Sequence, residues 1–161
     1  MNDETPKLPS IFSNPETFLD ASIEGPLETQ RTTVPAKDGY IGQIEDLKVR
    51  IVETKQGARA ILDVFWDLID EDLKKLLNRP KITVRQSIFL EFDETGKLAR
   101  GVNQNIVLGQ LRDACKQNTK EAWLPRMLIN AGPCRLKISE RVDEKNVAIK
   151  YNDVDRVTRF G

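Results

Sequence analysis

The stretch NIVLGQLRDACKQN, residues 105–118, is the one clean short helix pattern in a chain whose other periodic segments alternate like strands. Its apolar residues recur every three to four positions and so share one helical face, while polar residues occupy the other. Three strand-like segments precede this helix and two follow it. The order of elements around it therefore decides the predicted fold.

Each of the five predicted strands alternates apolar and polar residues, the pattern of a half-buried strand. In the first, residues 42–53, we expect Leu47, Val49 and Ile51 to point inward. The second, residues 59–68, is partly apolar on both faces, which predicts a central position in the sheet. The other three cover residues 81–92, 134–142 and 147–157.

Three strands, a helix and two strands form the element order of a five-stranded Greek-key barrel of the OB type, whose open face binds oligonucleotides. We predict a mainly β fold of this kind over residues 39–161. Residues 1–38 hold five of the eight prolines and a surplus of acidic side chains, which predicts an irregular, Pro-rich, acidic N-terminal arm. Within it, Pro15 fits the first position of a helical turn that buries Phe18 and Leu19.

Two further segments and both cysteines have local signals. Residues 70–80 place acids first and bases last, which fits either a short helix capped by Asp70 or an extended loop. Residues 123–130 fit another helical turn. Cys115 and Cys134 lie among apolar neighbours, so we predict buried, reduced thiols rather than a disulfide framework.

The composition excludes several classes of function. The chain of 161 residues is 39% hydrophobic and 31% charged, which predicts one soluble domain. No apolar run approaches the ~20 residues that span a bilayer, and the N-terminus lacks the regions of a signal peptide, so we expect a cytoplasmic protein without a membrane partner. Histidine is absent, which removes the commonest metal ligand and the commonest neutral-pH base. We predict no enzymatic activity, no catalytic residue, no metal and no cofactor.

The outer face of the predicted barrel is the candidate binding surface. If the apolar rows point inward, the residues that alternate with them must point outward together. Cations that follow phosphates, and rings such as Phe65 and Phe89 on which bases stack at ~1–3 kcal/mol each, form a groove for single-stranded nucleic acid. Alternatively, the cations are ordinary solvated positions and the two rings pack under the arm or under residues 70–80. The candidate nucleic-acid-binding residues are Lys48, Arg50, Phe65, Arg85, Phe89, Arg135, Lys137 and Trp123.

Trp123 and the charge distribution leave alternatives open. Trp123 either stacks a base, anchors a partner or plugs a barrel end. The net charge of zero argues against a nucleic-acid partner. Residues 1–40, however, carry seven acidic and three basic side chains, a net of −4, so residues 41–161 carry +4. A basic body with an acidic leader remains compatible with nucleic-acid binding.

Several motifs along the chain carry a resemblance to a known family. They are TVPAKDGYIGQI at 33–44, FLEFDETGKL at 89–98, NIVLGQLRDA at 105–114, GPCRLKI at 132–138 and YNDV at 151–154. Together they resemble bacteriophage-encoded single-stranded-DNA-binding proteins of the OB-fold type. The resemblance covers roughly residues 30–160 and implies that bases lie across the barrel face in a basic, aromatic-bearing groove. By that resemblance the groove would consist of Lys48, Arg50, Phe65, Arg85 and Phe89.

The predicted function is therefore binding of single-stranded DNA with little sequence preference, to protect or organise it during phage replication or recombination. The resemblance implies a location in the host cytoplasm, and we expect homo-oligomers and replication or recombination proteins as further partners. The chain departs from the family in its net charge and in its end, DRVTRFG, which is not an acidic tail. The alternative is a structural or adaptor protein that uses the barrel as a protein-interaction module, which the zero net charge and only ten aromatic residues favour.

Overall fold

The computed structural model describes residues 13–27, 32–147 and 149–161. Five strands and two α-helices follow one another in the predicted order, with a helix between the third and fourth strands, so the mainly β prediction is confirmed. Residues 70–80 contain a helix, which begins where the Leu73 N–H donates to the Asp70 side chain at 2.9 Å. The elements are β1 (Lys37–Thr54), β2 (Gly57–Leu68), α1 (Glu71–Leu77), β3 (Thr83–Leu90), α2 (Ile106–Ala114), β4 (Cys134–Val142) and β5 (Lys150–Arg159), with 3-10 turns at Pro15–Asp20 and Pro125–Leu128.

All five strands belong to one antiparallel sheet with the order β3-β2-β1-β4-β5. The predicted central position of β2 is confirmed, because it pairs with β1 on one side and β3 on the other. No backbone ladder joins the described residues of the two edge strands, but β3 and β5 come within 8 Å of each other, Cα to Cα. The sheet thus curls until its edges face one another without closing.

The concave side of the curled sheet holds the hydrophobic core. Trp66 of β2 is fully buried there with Leu136 of β4, and α2 adds Leu111. The Trp66 indole Nε1 donates to the Gln86 Oε1 of β3 at 3.0 Å, so each buried polar group satisfies the other. Cys115 and Cys134 are also buried and free, as predicted. The described part of the chain contains no helix long and apolar enough to cross a membrane.

The expectation that Val49 and Ile51 point into the core is wrong. Their register places them on the same sheet face as the buried Leu62, yet their side chains are 64% and 68% exposed. The pairing of β1 with β4 ends at Gly42, and a bulge follows between Ile44 and Asp46. Beyond that bulge, within the described residues, β1 pairs with β2 on one side and has no strand on its other side.

Asn105 positions α2 against the end of β3. Its side-chain Nδ2 donates to the backbone oxygens of Glu91 and Ala99 at 2.8 and 2.9 Å, and its Oδ1 accepts from the Glu91 N–H at 2.9 Å. Asn105 itself has a φ of 50°, a conformation that asparagine tolerates better than most residues. The helix is shorter than the 105–118 pattern because it ends at Ala114, two residues before Lys116 takes a φ of 59°.

The N-terminal arm divides into an exposed turn and a segment packed on the body. The predicted turn exists at Pro15–Asp20, but Phe18 and Leu19 are exposed, so the expectation that they are buried is wrong. Val34 belongs to the core, and its N–H and C=O both bond to the Asn152 side chain of β5 at 2.8 Å. The rest of the predicted arm, residues 1–12 and 28–31, lies outside the described residues.

Candidate nucleic-acid interface

A cleft of about 850 Å³ lies between the two edge strands, β3 and β5. It exists because the sheet curls without closing. Core side chains such as Val84 and Val154 line its floor, together with Leu111 of α2. Outward-facing side chains of β2, β3 and β5 form its walls, and the Arg50 side chain of β1 reaches it as well.

The cleft concentrates positive charge in a chain whose net charge is zero. Among the residues that the structure describes, six cationic side chains line it, against two acidic ones, Asp153 and Asp155. Such an excess in a concave site attracts an anionic ligand more strongly than the same charges spread over a surface. The cations are Arg50, Arg79, Arg85, Arg141, Lys150 and Arg156.

The cations differ in how far they are already committed within the protein. Arg141 pairs with Asp153 at 3.0 Å and Arg156 with Asp38 at 2.7 Å, and all four of these side chains are largely exposed. Exposed pairs of this kind are weak and exchange readily for another anion. Arg85 and Lys150 pair with no carboxylate in the described part of the chain, so they are immediately available to phosphate.

Three aromatic rings line the same cleft, and each has a cation close to its ring. The Lys48 Nζ lies 5.3 Å from the Phe65 ring centroid, the Arg59 guanidinium 4.3 Å from that of Phe89, and the Arg141 guanidinium 5.1 Å from that of Tyr151. Cation–π contacts of this length contribute roughly 0.5–1 kcal/mol at exposed sites. A base on such a ring would therefore have a cation beside it for the adjoining phosphate.

The strand register sets the spacing of the two phenylalanines. Phe65 lies opposite Arg85, and Phe89 lies opposite Ile61, so the two rings are four residues apart along neighbouring strands. At ~3.4 Å per residue and ~4.8 Å between strands, their attachment points are about 14 Å apart. The two rings therefore serve different bases of one strand rather than the two faces of one base.

Asp63 sits between these rings and is the least exposed carboxylate near the cleft. Its side chain is only 4% exposed; Oδ2 accepts from the Arg50 Nε at 2.7 Å and Oδ1 from the Ser87 Oγ at 2.6 Å. Burial on its own would raise the pKa of Asp63, but the hydrogen bonds from Arg50 and Ser87 and the charge of Arg50 outweigh it, so the pKa lies below its ordinary value. Arg50 is thus oriented through its Nε, which leaves its two Nη groups for a ligand.

Most of the sequence-predicted residues meet at this surface. Arg50, Phe65, Arg85 and Phe89 line the cleft, and Lys48 lies beside it over the Phe65 ring. Period-2 alternation was sufficient here because β1, β2 and β3 are adjacent and their registers contain no shift over the residues concerned. In the alternative prediction, Phe65 and Phe89 pack beneath other segments. Phe89 does not, because its side chain is about half exposed.

Three predicted residues lie elsewhere. Arg135 and Lys137 occupy the outward face of β4 but do not line the cleft, which β4 reaches only farther along, at Arg141. Trp123 packs against the core, 4.2 Å beneath the Arg112 guanidinium. Its Nε1 donates to the Gln117 Oε1 at 2.8 Å, and Trp123 does not line the cleft.

Sequence reasoning missed the wall contributed by β5 and the cation that follows α1. Tyr151 falls within the predicted strand 147–157, and the pairing places it opposite Arg141 on the outward face. The proximity of β5 to β3 depends on the curl of the whole sheet, for which local periodicity has no signal. The missed cleft residues are Arg79, Arg141, Lys150, Tyr151 and Arg156.

Among the described residues, no group of three or more Cys, Asp or Glu side chains is placed to hold a metal ion. The chain matches no protein-family model and no curated protein. Its relation to phage single-stranded-DNA-binding proteins therefore stays a prediction, and the functional proposal depends on the cleft.

Proposed function

We propose that this chain binds single-stranded DNA with little sequence preference, through the cleft between β3 and β5. The observation that carries the proposal is the convergence of six cationic side chains and three aromatic rings in one cleft of an otherwise neutral protein. Cations along a groove with rings for stacking are the two components of sequence-tolerant single-strand binding. The expected role is to protect or organise single strands during phage replication or recombination.

The fold that we propose for this function is an OB-type barrel. The strand order β3-β2-β1-β4-β5, the approach of the two edge strands and the position of α2 beside the gap between them support it. Val107 and Gln110 of α2 reach the cleft at that gap. The incomplete closure of the sheet leaves a concave surface from which a bound single strand can reach the rings.

Single strands should be preferred over duplex for a physical reason. The rings of Phe65, Phe89 and Tyr151 can stack only on unpaired bases, at ~1–3 kcal/mol per base, and a duplex offers the cleft its phosphates alone. The salt dependence follows from the cations. If only Arg79, Arg85 and Lys150 neutralise phosphates, the log–log slope should be about −2, and if all six cations do so it should be about −4.

The test is a fluorescence-anisotropy titration of a ~30-nucleotide single strand and its duplex, an oligomer long enough for any single OB-type site. The variant is Arg85→Ala with Phe89→Ala, and the matched control is Arg135→Ala with Lys137→Ala, which removes two cations outside the cleft. The cleft variant should bind at least about tenfold more weakly, since it loses a stacking ring and an unpaired cation. Absence of binding by the wild type at low salt, or an equal loss in the control, would reject the proposal.

A second candidate function, protein interaction, is favoured by the exposed half of the β1–β2 hairpin. Val49 and Ile51 present apolar surface there, and in the described structure β1 pairs only with β2 beyond Gly42. An open strand edge beside apolar side chains is a site where another chain can add a strand. An oligomer that dissociates in Val49→Lys, in a protein without salt-dependent binding to DNA, would support an adaptor instead.

A further inference from the structure

A second groove, of about 580 Å³, runs between α2 and β5. Gly109 and Gln110 line it from the helix, and Thr158 and Arg159 line it from the strand. It is continuous with the cleft, because Gln110, Arg156 and Val157 line both. The two cavities therefore form one path that follows β5 from the rings to the end of the strand.

The side chains of the groove are chemically different from those of the cleft. Within the described residues, the side-chain amides of Gln110 and Asn118 have no hydrogen-bond partner, and both are exposed. An amide offers two donors and an acceptor, which matches the exposed edge of an unpaired base. Arg159 closes one side of the groove, where its Nη2 holds the Asp113 Oδ1 at 2.9 Å in an exposed pair that can exchange for phosphate.

Gly109 keeps this groove open. Gly109 lies inside α2, where glycine is less favourable than alanine by ~1 kcal/mol. Helix stability therefore does not explain a glycine at this position. A Cβ atom built at Gly109 would meet no other atom within 4 Å, so the space beside the residue is free. A larger side chain at this position would occupy the groove without straining the backbone.

We propose that a single strand bound in the cleft continues into this groove, where Gln110 and Asn118 hydrogen-bond its next unpaired bases. The inference rests on the proposed function of the cleft. Continuity of the two cavities at Arg156, together with the uncommitted amides, favours a nucleic-acid strand as the occupant. The groove thus extends the binding site along β5. Bases stack on the rings in the cleft and, from Gln110 onward, form hydrogen bonds in the groove.

The experiment compares oligonucleotides of ~5 and ~15 nucleotides, which bracket the span of one OB-type site. The variant Gly109→Gln fills the groove, and Gly109→Ala is the matched control that adds only a methyl group at the same helical position. Gly109→Gln should weaken binding of the longer strand at least about tenfold and leave the shorter strand unchanged, while Gly109→Ala should change neither. As a milder variant, Asn118→Ala should cost the longer strand about 2- to 10-fold, the equivalent of one hydrogen bond.

Several outcomes would overturn the inference. Unchanged binding of the longer strand by Gly109→Gln and Asn118→Ala would show that the strand does not enter the groove. An equal loss at both lengths would show damage to the cleft rather than a block beyond it. A change in oligomeric size with unchanged DNA affinity would identify the groove as a protein interface. If the wild type binds neither length at low salt, the proposed function itself fails, a result distinct from the other three.

Discussion

Asp63→Asn separates two physical accounts of the cleft, because they predict opposite signs. A carboxylate beside a bound phosphate repels it; at ~7 Å and an effective dielectric constant of 20–80, the repulsion is about 0.6–2 kcal/mol. If Asp63 acted only through its charge, the substitution would tighten binding roughly 3- to 30-fold. The structure instead gives Asp63 the task of holding the Arg50 Nε at 2.7 Å. On that basis we predict that the substitution weakens binding.

The expected loss follows from the bond that Asp63 makes. A hydrogen bond between charged partners contributes about 1.5–3 kcal/mol, but the Arg50 side chain is about 40% exposed, so water recovers part of this. We therefore expect Asp63→Asn to cost about 1 kcal/mol of binding free energy, or about fivefold in affinity. Because Asp63 acts through Arg50, the double variant Asp63→Asn, Arg50→Ala should bind no more weakly than Arg50→Ala alone.

Anisotropy titrations of the single strand at one fixed salt concentration would measure all four proteins of this cycle. The matched control is Asp153→Asn, which removes a cleft carboxylate whose pair with Arg141 is exposed at both ends. There the charge effect should dominate, so this control should bind more tightly than the wild type. Tighter binding by Asp63→Asn, or losses that add in the double variant, would refute the positioning role of Asp63.

The remaining predictions concern the scaffold and its stability. Gln86→Ala leaves the buried Trp66 Nε1 without its acceptor and should lower the free energy of unfolding by about 1–3 kcal/mol. Urea titration measures this loss, and an unchanged unfolding midpoint would contradict the importance of the Trp66–Gln86 hydrogen bond. Asn105→Ala loses three side-chain hydrogen bonds to Glu91 and Ala99, in the loop after β3, and should cost at least about 2 kcal/mol. Asn105→Gly should be no more stable, because the hydrogen bonds outweigh the φ of this residue; full recovery in the glycine variant would contradict this. Val49 is largely exposed, so Val49→Thr should change stability by less than about 0.5 kcal/mol, whereas a loss of more than 1 kcal/mol would mean that the hairpin is covered in solution. The pKa of Asp63 is lowered in the folded protein, so its stabilisation is complete above its unfolded pKa of ~3.9 and disappears as pH falls below that; the stability gap between the wild type and Asp63→Asn should shrink there and not at neutral pH.

Local periodicity was sufficient for the part of the site built from adjacent strands. Phe65, Arg85 and Phe89 alternate with apolar residues, and β2 and β3 pair in a continuous register, so residues that alternate outward come to lie side by side. The central helix was equally readable, since an apolar face at helical spacing needs no tertiary information. The Asp70 cap is likewise a local signal, and the structure contains it.

The parts that sequence could not supply depend on the curl and coverage of the sheet. Arg135 and Arg85 lie on the same face of the sheet, but the sheet is strongly curled between their strands. The two side chains therefore do not line one cleft. Tyr151 reaches the cleft only because β5 comes round to face β3. Val49 occupies an alternating apolar position typical of a buried residue, yet it is exposed because no other described element packs over it. The alternation pattern of a strand does not show which of its residues another element covers.

The bulges add a second physical reason. Between Ile44 and Asp46, and again between Lys137 and Ile138, one strand gains a residue relative to its partner. Each extra residue increases the local twist and re-aims the side chains beyond it. A period-2 pattern read across a bulge changes its parity, so residues on its two sides do not share the face that the sequence pattern assigns to them.

The most direct test of the central claim is to locate the bound strand on the protein. A single-stranded oligonucleotide with photoreactive bases, cross-linked to the wild type at low salt and mapped by mass spectrometry, would identify the residues that bases contact. The cleft account predicts cross-links at Phe65, Phe89 and Tyr151. Cross-links concentrated at Trp123, Arg135 or Lys137, with none in the cleft, would contradict it.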